Sequence, residues 1–332
     1  MAVEATTADQ VWRAAFGALM ADCFPSRDSR LLAREMAEAM LIELERRNCW
    51  TLAEALGHDE SYRLQRFLSH GSWDYDLGRD RLASWVSGEL TDNEAVLVVD
   101  ETGDEKSPID CVGAAHQHSG ALGGIGLYKV AVHLTYATLR GHALIYRELY
   151  LPAAWAQDEE RRLLRHAPDG VCFATKPQLA AVMLHRTREL GIRARWFTGN
   201  EVYGNLELRR TARILGFDYA LAVKTDHTAT TLAGRFTAAR FAAKVPAKSW
   251  IRMHTGHGLK VDRHYDPPGP QKRPTGHLVR DRNRDLGEQF FKRFGPNLWR
   301  AWVLPPEVGT LHWSCQQPHM VSVSVSRAAT SS

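Results

Sequence analysis

Cysteine is scarce in this chain of 332 residues, and the few that occur are scattered along it. They form no C-x-x-C pair and their total is odd, which argues against a disulfide framework and against a structural zinc site. We interpret them as packing residues: Cys23, Cys49, Cys111, Cys172 and Cys315.

Long apolar runs are also missing. No stretch approaches the roughly 18 consecutive apolar residues that a membrane-spanning helix needs, and the first residues lack the basic segment followed by an apolar one that opens a secretory signal. We therefore expect a cytoplasmic protein with no membrane partner.

Charge of either sign is nearly balanced, with a net charge of +4, but it is unevenly distributed. Residues 251–300 hold eleven Lys or Arg against five Asp or Glu. Such a basic segment fits a polyanionic partner such as DNA as well as it fits a solvated surface.

The first part of the chain has a helical rhythm. Apolar residues recur at intervals of three and four from Ala8 to about Asp92, which predicts amphipathic helices. Several aromatic and basic side chains in this part could touch DNA, although aromatic residues at helical spacing more often pack in a core. They are Trp50, Arg63, Arg66, Trp73, Arg79 and Arg81.

From Glu94 onward the pattern changes to strands. The apolar run Ala95–Val99 predicts a buried strand that ends at Asp100. A meander of three antiparallel strands and then alternating helices and strands follow. The predicted elements are Ile109–His116, Tyr128–Thr138, His142–Leu151, Gln178–Leu190, Ile192–Thr198, Asn205–Leu215 and Tyr219–Lys224. This order predicts an α/β fold, a ribonuclease H-like mixed sheet with flanking helices, preceded by a helical N-terminal domain.

Three segments follow from these patterns. Residues 1–92 form the helical domain, which we expect to supply DNA binding or dimer contacts. Residues 93–300 form the ribonuclease H-like domain, with an irregular basic segment from about 225. Residues 301–332 form a divergent tail, and we expect disorder from Val321 to Ser332 because no core-forming pattern was identified there.

Two polar positions follow apolar strands about 100 residues apart. Asp100 follows the first strand, and Asn200 follows the segment that ends in Thr198-Gly199. Because these two strands lie side by side in a ribonuclease H-like sheet, we predict that the side chains of Asp100 and Asn200 face a common hollow.

Several short motifs occur in an order that resembles the DDE transposases of bacterial insertion sequences, particularly the insertion-sequence-701 type. The resemblance covers roughly residues 15–225. It is carried by Val99-Asp-Glu-Thr-Gly103, Ser119-Gly120 with Gly123-Gly124-Ile125-Gly126, Arg140-Gly-His-Ala-Leu144 with Arg147-Glu-Leu-Tyr-Leu-Pro152, Phe173-Ala-Thr-Lys-Pro177 and Glu201-Val-Tyr-Gly204.

This resemblance implies an enzyme that cleaves and transfers DNA strands at the terminal inverted repeats of a mobile element, working on double-stranded DNA as a homodimer. In such enzymes three carboxylates hold two divalent ions, usually Mg²⁺ or else Mn²⁺. Asp100 matches the first acid and Asn200 stands at the second. Glu288, four residues after Arg284, has the spacing of the third.

Asn200 puts an amide where the resemblance implies a carboxylate. Removing one negative charge from beside two dications would weaken their binding by several kcal/mol at an effective dielectric constant of about 20. Glu201 is adjacent, but neighbouring side chains on an extended backbone point to opposite faces, which makes it a poor substitute. We therefore predict that this copy is impaired or inactive.

Other interpretations remain open. One is a non-catalytic DNA-binding remnant of a transposase, in which the fold persists while the metal site has decayed. Another is a phosphohydrolase of the haloacid dehalogenase type, but that family has a second Asp where this chain has Thr102, and an antiparallel meander contradicts its parallel sheet. Lys176 and Lys224 are candidate phosphate contacts, although an exposed lysine is the ordinary explanation for each.

Overall fold

The fold is described from a computed structural model. Its described residues are 2–106, 109–119, 124–167, 170–224, 226–231, 234–244, 253–257, 262–265 and 320–326. Glu288 and most of the basic segment after residue 244 therefore lie outside the described residues. The chain divides into two compact units, Met1–Trp85 and Val86–Ser332, and each is considered by itself.

The N-terminal unit is helical, as the sequence predicts. A small apolar core of Ala39, Leu52, Ala53 and Leu64 joins its middle helices. Trp50 does not pack in this core, because its side chain is exposed, whereas Trp73 stacks on Phe24. The helices are α1 (Ala2–Met20), α2 (Arg27–Met40), α3 (Cys49–Ala55), α4 (Tyr62–His70) and α5 (Tyr75–Glu89), the last of which runs into the second unit.

The second unit is built on a mixed sheet of seven strands. The sheet strands are β1 (Val96–Glu105), β2 (Ala114–Ser119), β3 (Gly124–Ala137), β4 (His142–Leu149), β5 (Trp196–Gly199), β6 (Asp218–Lys224) and β11 (Met320–Ser326). Short pairs are formed by β7 (Thr228–Thr231) with β8 (Gly234–Thr237) and by β9 (Met253–His257) with β10 (Asp262–Tyr265). The helices are α6 (Ala153–Ala156), α7 (Glu159–Leu164), α8 (Lys176–Glu189), α9 (Leu206–Ile214) and α10 (Ala238–Lys244).

The strand order confirms the predicted ribonuclease H-like sheet. β1 pairs antiparallel with β3 and parallel with β5, and β5 in turn pairs parallel with β6. The long strand β3 carries β2 along its first part and β4 along its second, both antiparallel. Strands β4, β3, β1, β5 and β6 thus lie side by side in that order, with β1 next to β5 as predicted and with helices α8 and α9 packed against the sheet.

Strand β1 extends further than its apolar run predicts. It continues to Glu105 along β3, so Asp100 is still inside the antiparallel ladder, opposite His133. The parallel ladder with β5 ends at Val99 opposite Gly199. Asp100 is therefore at a strand end only on its β5 side, where the backbone of β5 leaves the sheet.

Part of the tail forms a strand, contrary to the disorder expected there. β11 lies antiparallel to β6 at one side of the sheet. The sequence does contain a signal for this strand, since valines at 321, 323 and 325 alternate with serines, the period of a strand with one buried face. The predicted domain limits at residues 92 and 300 stay predictions.

No helix among the described residues combines the length and the apolar character that a membrane crossing needs.

Candidate functional site

Asp100 and Asn200 meet where strands β1 and β5 part. The Asn200 side chain donates a hydrogen bond from Nδ2 to Oδ1 of Asp100 over 3.1 Å. Because the two strands are parallel and in register up to Val99 and Gly199, the next residue of each leaves the ladder at the same level. The two side chains therefore lie in direct contact at the end of the parallel ladder, while the hollow that they were predicted to share stays a prediction.

The close approach of the two strands depends on a missing side chain at Gly199. A Cβ atom at that position would lie 2.7 Å from Cγ1 of Val99 and 3.2 Å from Cβ of Tyr203. Real Cβ atoms do not approach others so closely, so the packing around Gly199 leaves no space for a larger residue.

The Asn200 amide is held at both ends. Its Oδ1 accepts a hydrogen bond from the backbone N–H of Val202 over 2.9 Å, as the cap of a 3-10 turn at Glu201–Tyr203. Both contacts select the same orientation, because a backbone N–H needs an acceptor and the Asp100 carboxylate needs a donor. The side chain is also buried.

This arrangement does not fit a divalent cation between the two side chains. A metal ion needs oxygen atoms pointing at it. Asn200 instead directs an N–H group at Asp100, and its side-chain oxygen accepts a hydrogen bond from the backbone N–H of Val202. No group of three metal-ligating side chains occurs among the described residues. Glu288, predicted as the third acid, lies outside that part of the chain.

The backbone at Glu201 differs from the extended form that the sequence predicts. The backbone is not extended there, because the 3-10 turn begins at this residue. The alternation of side chains along an extended backbone therefore does not determine the direction of the Glu201 side chain. Burial raises the pKa of Asp100 well above its usual value, with a further increase from Glu101 and a smaller one from Glu201, while Lys176 lowers it.

A second set of contacts, which the sequence did not predict, surrounds Glu101. Lys176 at the start of α8 donates from Nζ to Glu101 Oε1 over 3.0 Å, and the Tyr203 hydroxyl donates to Oε2 over 2.7 Å. Tyr203 is fully buried, and burial raises the pKa of its hydroxyl, followed by the charge of Glu101. These three residues, the Glu101 cluster, connect β1, α8 and the 3-10 turn that carries Asn200.

The Glu101 cluster changes the interpretation of Lys176. Its charge is paired with Glu101, and both side chains are only about one fifth exposed, at 19% and 18%. A lysine engaged in this way stabilises the fold around the site and is a poor phosphate contact. Lys224, at the end of β6, is exposed, so its role as a phosphate contact stays a prediction.

The turn after Asn200 is packed without spare room. A Cβ atom at Gly204 would lie 2.3 Å from the backbone oxygen of Ala222 on β6. Gly204 thus lets the 3-10 turn lie directly against the neighbouring strand. This contact explains the glycine of the Tyr-Gly pair that follows Asn200.

His133 lies on the same face of the sheet as Asp100. The two are directly opposite in the β1–β3 ladder, and directly opposed residues share a face. The hydroxyl of Thr102, two residues after Asp100, is 2.9 Å from His133 Nε2, while Nδ1 of the ring is buried without a partner among the described residues. Burial, followed by the charge of Arg147, lowers the pKa of His133 to about 4.

This shift predicts a loss of stability in mild acid. The unfolded chain binds a proton at His133 near the ordinary pKa of about 6.5, whereas the folded chain binds it only near pH 4. Stability should therefore fall as the pH decreases from about 6.5 to 4, by about 1 kcal/mol once the partial exposure of the ring is allowed for. Thermal unfolding of the unmodified chain and of His133→Gln at pH 7 and pH 4.5 measures this, and an equal acid response in both would contradict it.

Comparisons with known proteins agree with this geometry. A family model described as DDE superfamily endonuclease matches residues 19–245, about two thirds of the chain. A protein of Microchaete diplosiphon, named as a probable transposase for insertion sequence element IS701, is 23% identical over 189 residues, which is 56% of this chain and 46% of the relative. The chain thus spans about half the length of the curated relative it matches. Since the family match includes Asp100 on β1 and Asn200 directly after β5, the chain belongs to the DDE superfamily endonuclease family.

Proposed function

We propose that this chain is a DDE-type transposase of an insertion sequence, and that its partner is double-stranded DNA at terminal inverted repeats, bound by a homodimer. The observation that carries the proposal is the meeting of residues 100 and 200 at the ends of parallel strands, within a fold of the DDE family. This is the place where a DDE enzyme needs two of its acids.

We further propose that DNA cleavage by this copy is impaired. The family implies two Mg²⁺ or Mn²⁺ ions, but the group that faces Asp100 is a hydrogen-bond donor without charge. Replacing one of two facing carboxylates by an amide removes several kcal/mol of attraction for a dication, at an effective dielectric constant of about 20.

A second candidate function is a DNA-binding remnant that no longer cleaves. The specific observation that favours it is the Asn200–Asp100 hydrogen bond, which satisfies both side chains without an ion. The fold can then persist while catalysis is lost. Such a protein binds duplex DNA through phosphate contacts, with an affinity that falls steeply as salt rises.

A cleavage assay distinguishes the two functions. Duplexes that carry the terminal repeats from the flanking DNA are incubated with Mg²⁺ and either the unmodified chain, Asn200→Asp, or Asn200→Asp combined with Asp100→Asn. We expect little cleavage by the unmodified chain, a clear increase with Asn200→Asp, and loss of that increase in the double variant.

The other outcomes of the cleavage assay each support or exclude one of the proposed functions. Strong cleavage by the unmodified chain would refute impairment. Salt-sensitive DNA binding without cleavage by any variant favours the remnant. If no variant binds duplex DNA, neither proposed function stands.

A further inference from the structure

We infer that α4 is the DNA-reading helix of the N-terminal unit, with its exposed face as the surface that docks on duplex DNA. This inference rests on the proposed function, because it takes duplex DNA as the partner. It goes further in assigning the contact to one helix of nine residues.

Helix α4 is anchored by very few of its residues. Leu64 is fully buried in the core formed with α2 and α3, and Phe67 is half-buried. The other seven of the nine residues are exposed. The helix thus lies on the surface of the unit with most of its circumference available to a partner.

The exposed residues of α4 have the chemistry that nucleic acid requires. No Asp or Glu occurs from Ser61 to Trp73, so the face carries the positive charges of its arginines and no negative charge. Arginine binds phosphates and guanine edges, and glutamine can form two hydrogen bonds with adenine. The polar side chains are Tyr62, Arg63, Gln65, Arg66, Ser69 and His70.

The arginines of α4 also differ from others of the unit in lacking a carboxylate partner. Arg66 is held 3.3 Å from the Tyr62 hydroxyl, and no contact within the described residues holds the Arg63 side chain. By contrast, Arg34 pairs with Glu38, Arg79 with Asp76 and Arg81 with Asp22. The cationic groups of α4 are therefore available for an external anion.

The packing of α4 resembles that of a recognition helix. In helix-turn-helix proteins a short helix and a following exposed helix pack on a third, and the exposed one enters the major groove. Here α3 and α4 pack on α2, although the connection Leu56–Ser61 is longer than the usual three or four residues. Asp59 and Glu60 precede α4, so we assign the phosphate contacts to Arg63 and Arg66 and not to the helix N-terminus.

A second copy of the chain fits this face less well than DNA does. Interfaces between chains have an apolar centre, whereas the only aliphatic residue exposed on α4 is Leu68. Two facing copies of α4 would also bring unpaired arginines together. Charge complementarity therefore favours a polyanion.

The test compares two charge-matched double variants of the full chain. Arg63→Ala with Arg66→Ala removes the α4 arginines, and Arg27→Ala with Arg46→Ala removes two other exposed arginines of the same unit. Binding to a 30-base-pair duplex pool of random sequence is measured by fluorescence anisotropy at several KCl concentrations. We expect the α4 variant to lose at least about tenfold in affinity and to lower the slope of log K against log salt by about 2.

The control variant should lose less than about threefold, and circular dichroism should be unchanged in both. In a further step, selection from a randomised duplex pool should show that Gln65→Ala relaxes the preference at one base position. Equal losses in the two double variants would overturn the inference while leaving DNA as the partner. A change of oligomeric state without loss of DNA binding would overturn it too, whereas an unmodified chain that binds no duplex would instead defeat the proposed function.

Discussion

Replacing Asn200 by Asp is expected to make the thermal stability of this chain depend on Mg²⁺. The variant loses the hydrogen bond to Asp100 and places two carboxylates about 3 Å apart, a repulsion of several kcal/mol at an effective dielectric constant of about 20. A bound cation would relieve that repulsion. At 100 times its dissociation constant, a single ion adds about 2.7 kcal/mol.

The measurement is thermal unfolding of the full chain in EDTA and in MgCl2. Asn205→Asp is a matched control, because Asn205 also caps a helix through Oδ1, accepting from the Leu208 N–H over 2.9 Å, and Asp serves equally well as an N-cap. We expect MgCl2 to raise the unfolding temperature strongly for Asn200→Asp, and not for the unmodified chain or Asn205→Asp. An equal effect in the unmodified chain would show that Asn200 already tolerates the ion, contrary to our proposal.

Removing the carboxylate of Glu101 should be among the most destabilising changes near the site. Glu101→Ala leaves the Lys176 ammonium and the Tyr203 hydroxyl without their acceptor. Breaking a buried ion pair on one side costs about 3 to 5 kcal/mol, and the partial exposure of this pair places it near the lower end. Tyr203→Phe removes only one hydrogen bond to a charged group and should cost about 2 kcal/mol.

Asp110→Ala provides the comparison for Glu101→Ala. Asp110 pairs with Arg165 over 2.6 Å, but both side chains are nearly half exposed, so the loss should stay below about 1 kcal/mol. Denaturant unfolding of the single variants, together with Glu101→Ala in a Lys176→Ala background, gives the coupling energy. If Glu101→Ala costs no more than Asp110→Ala, the Glu101 cluster does not hold the site together.

The sheet could be predicted because its signals are local. The apolar run before Asp100, the alternation in β3 and the glycines after α8 and α9 each mark an element within a few residues. The pairing of β1 with β5 then followed from the ribonuclease H-like fold that the order of elements indicates. β11 was not predicted even though its alternation is regular, because the sequence around it indicates no further element that would identify its partner.

The contacts within the site were harder to predict than the fold. Glu101 meets Lys176 and Tyr203 across 75 and 102 residues, and no periodicity links such positions. The environment of Glu201 was misjudged because a 3-10 turn replaces the extended backbone that alternation assumes. The orientation of the Asn200 amide depends on a backbone N–H two residues further on, which becomes evident only once the turn is formed.

The absence of a side chain at Gly199 has a consequence for the positions that follow it. With no Cβ to spread the backbones, β5 lies against Val99 and delivers residue 200 within reach of residue 100. A methyl group on residue 199 would push β1 and β5 apart and increase the distance between the side chains of Asp100 and Asn200. The distance between the side chains of residues 100 and 200, on which any shared ligand would depend, is thus determined by the lack of a Cβ atom at Gly199.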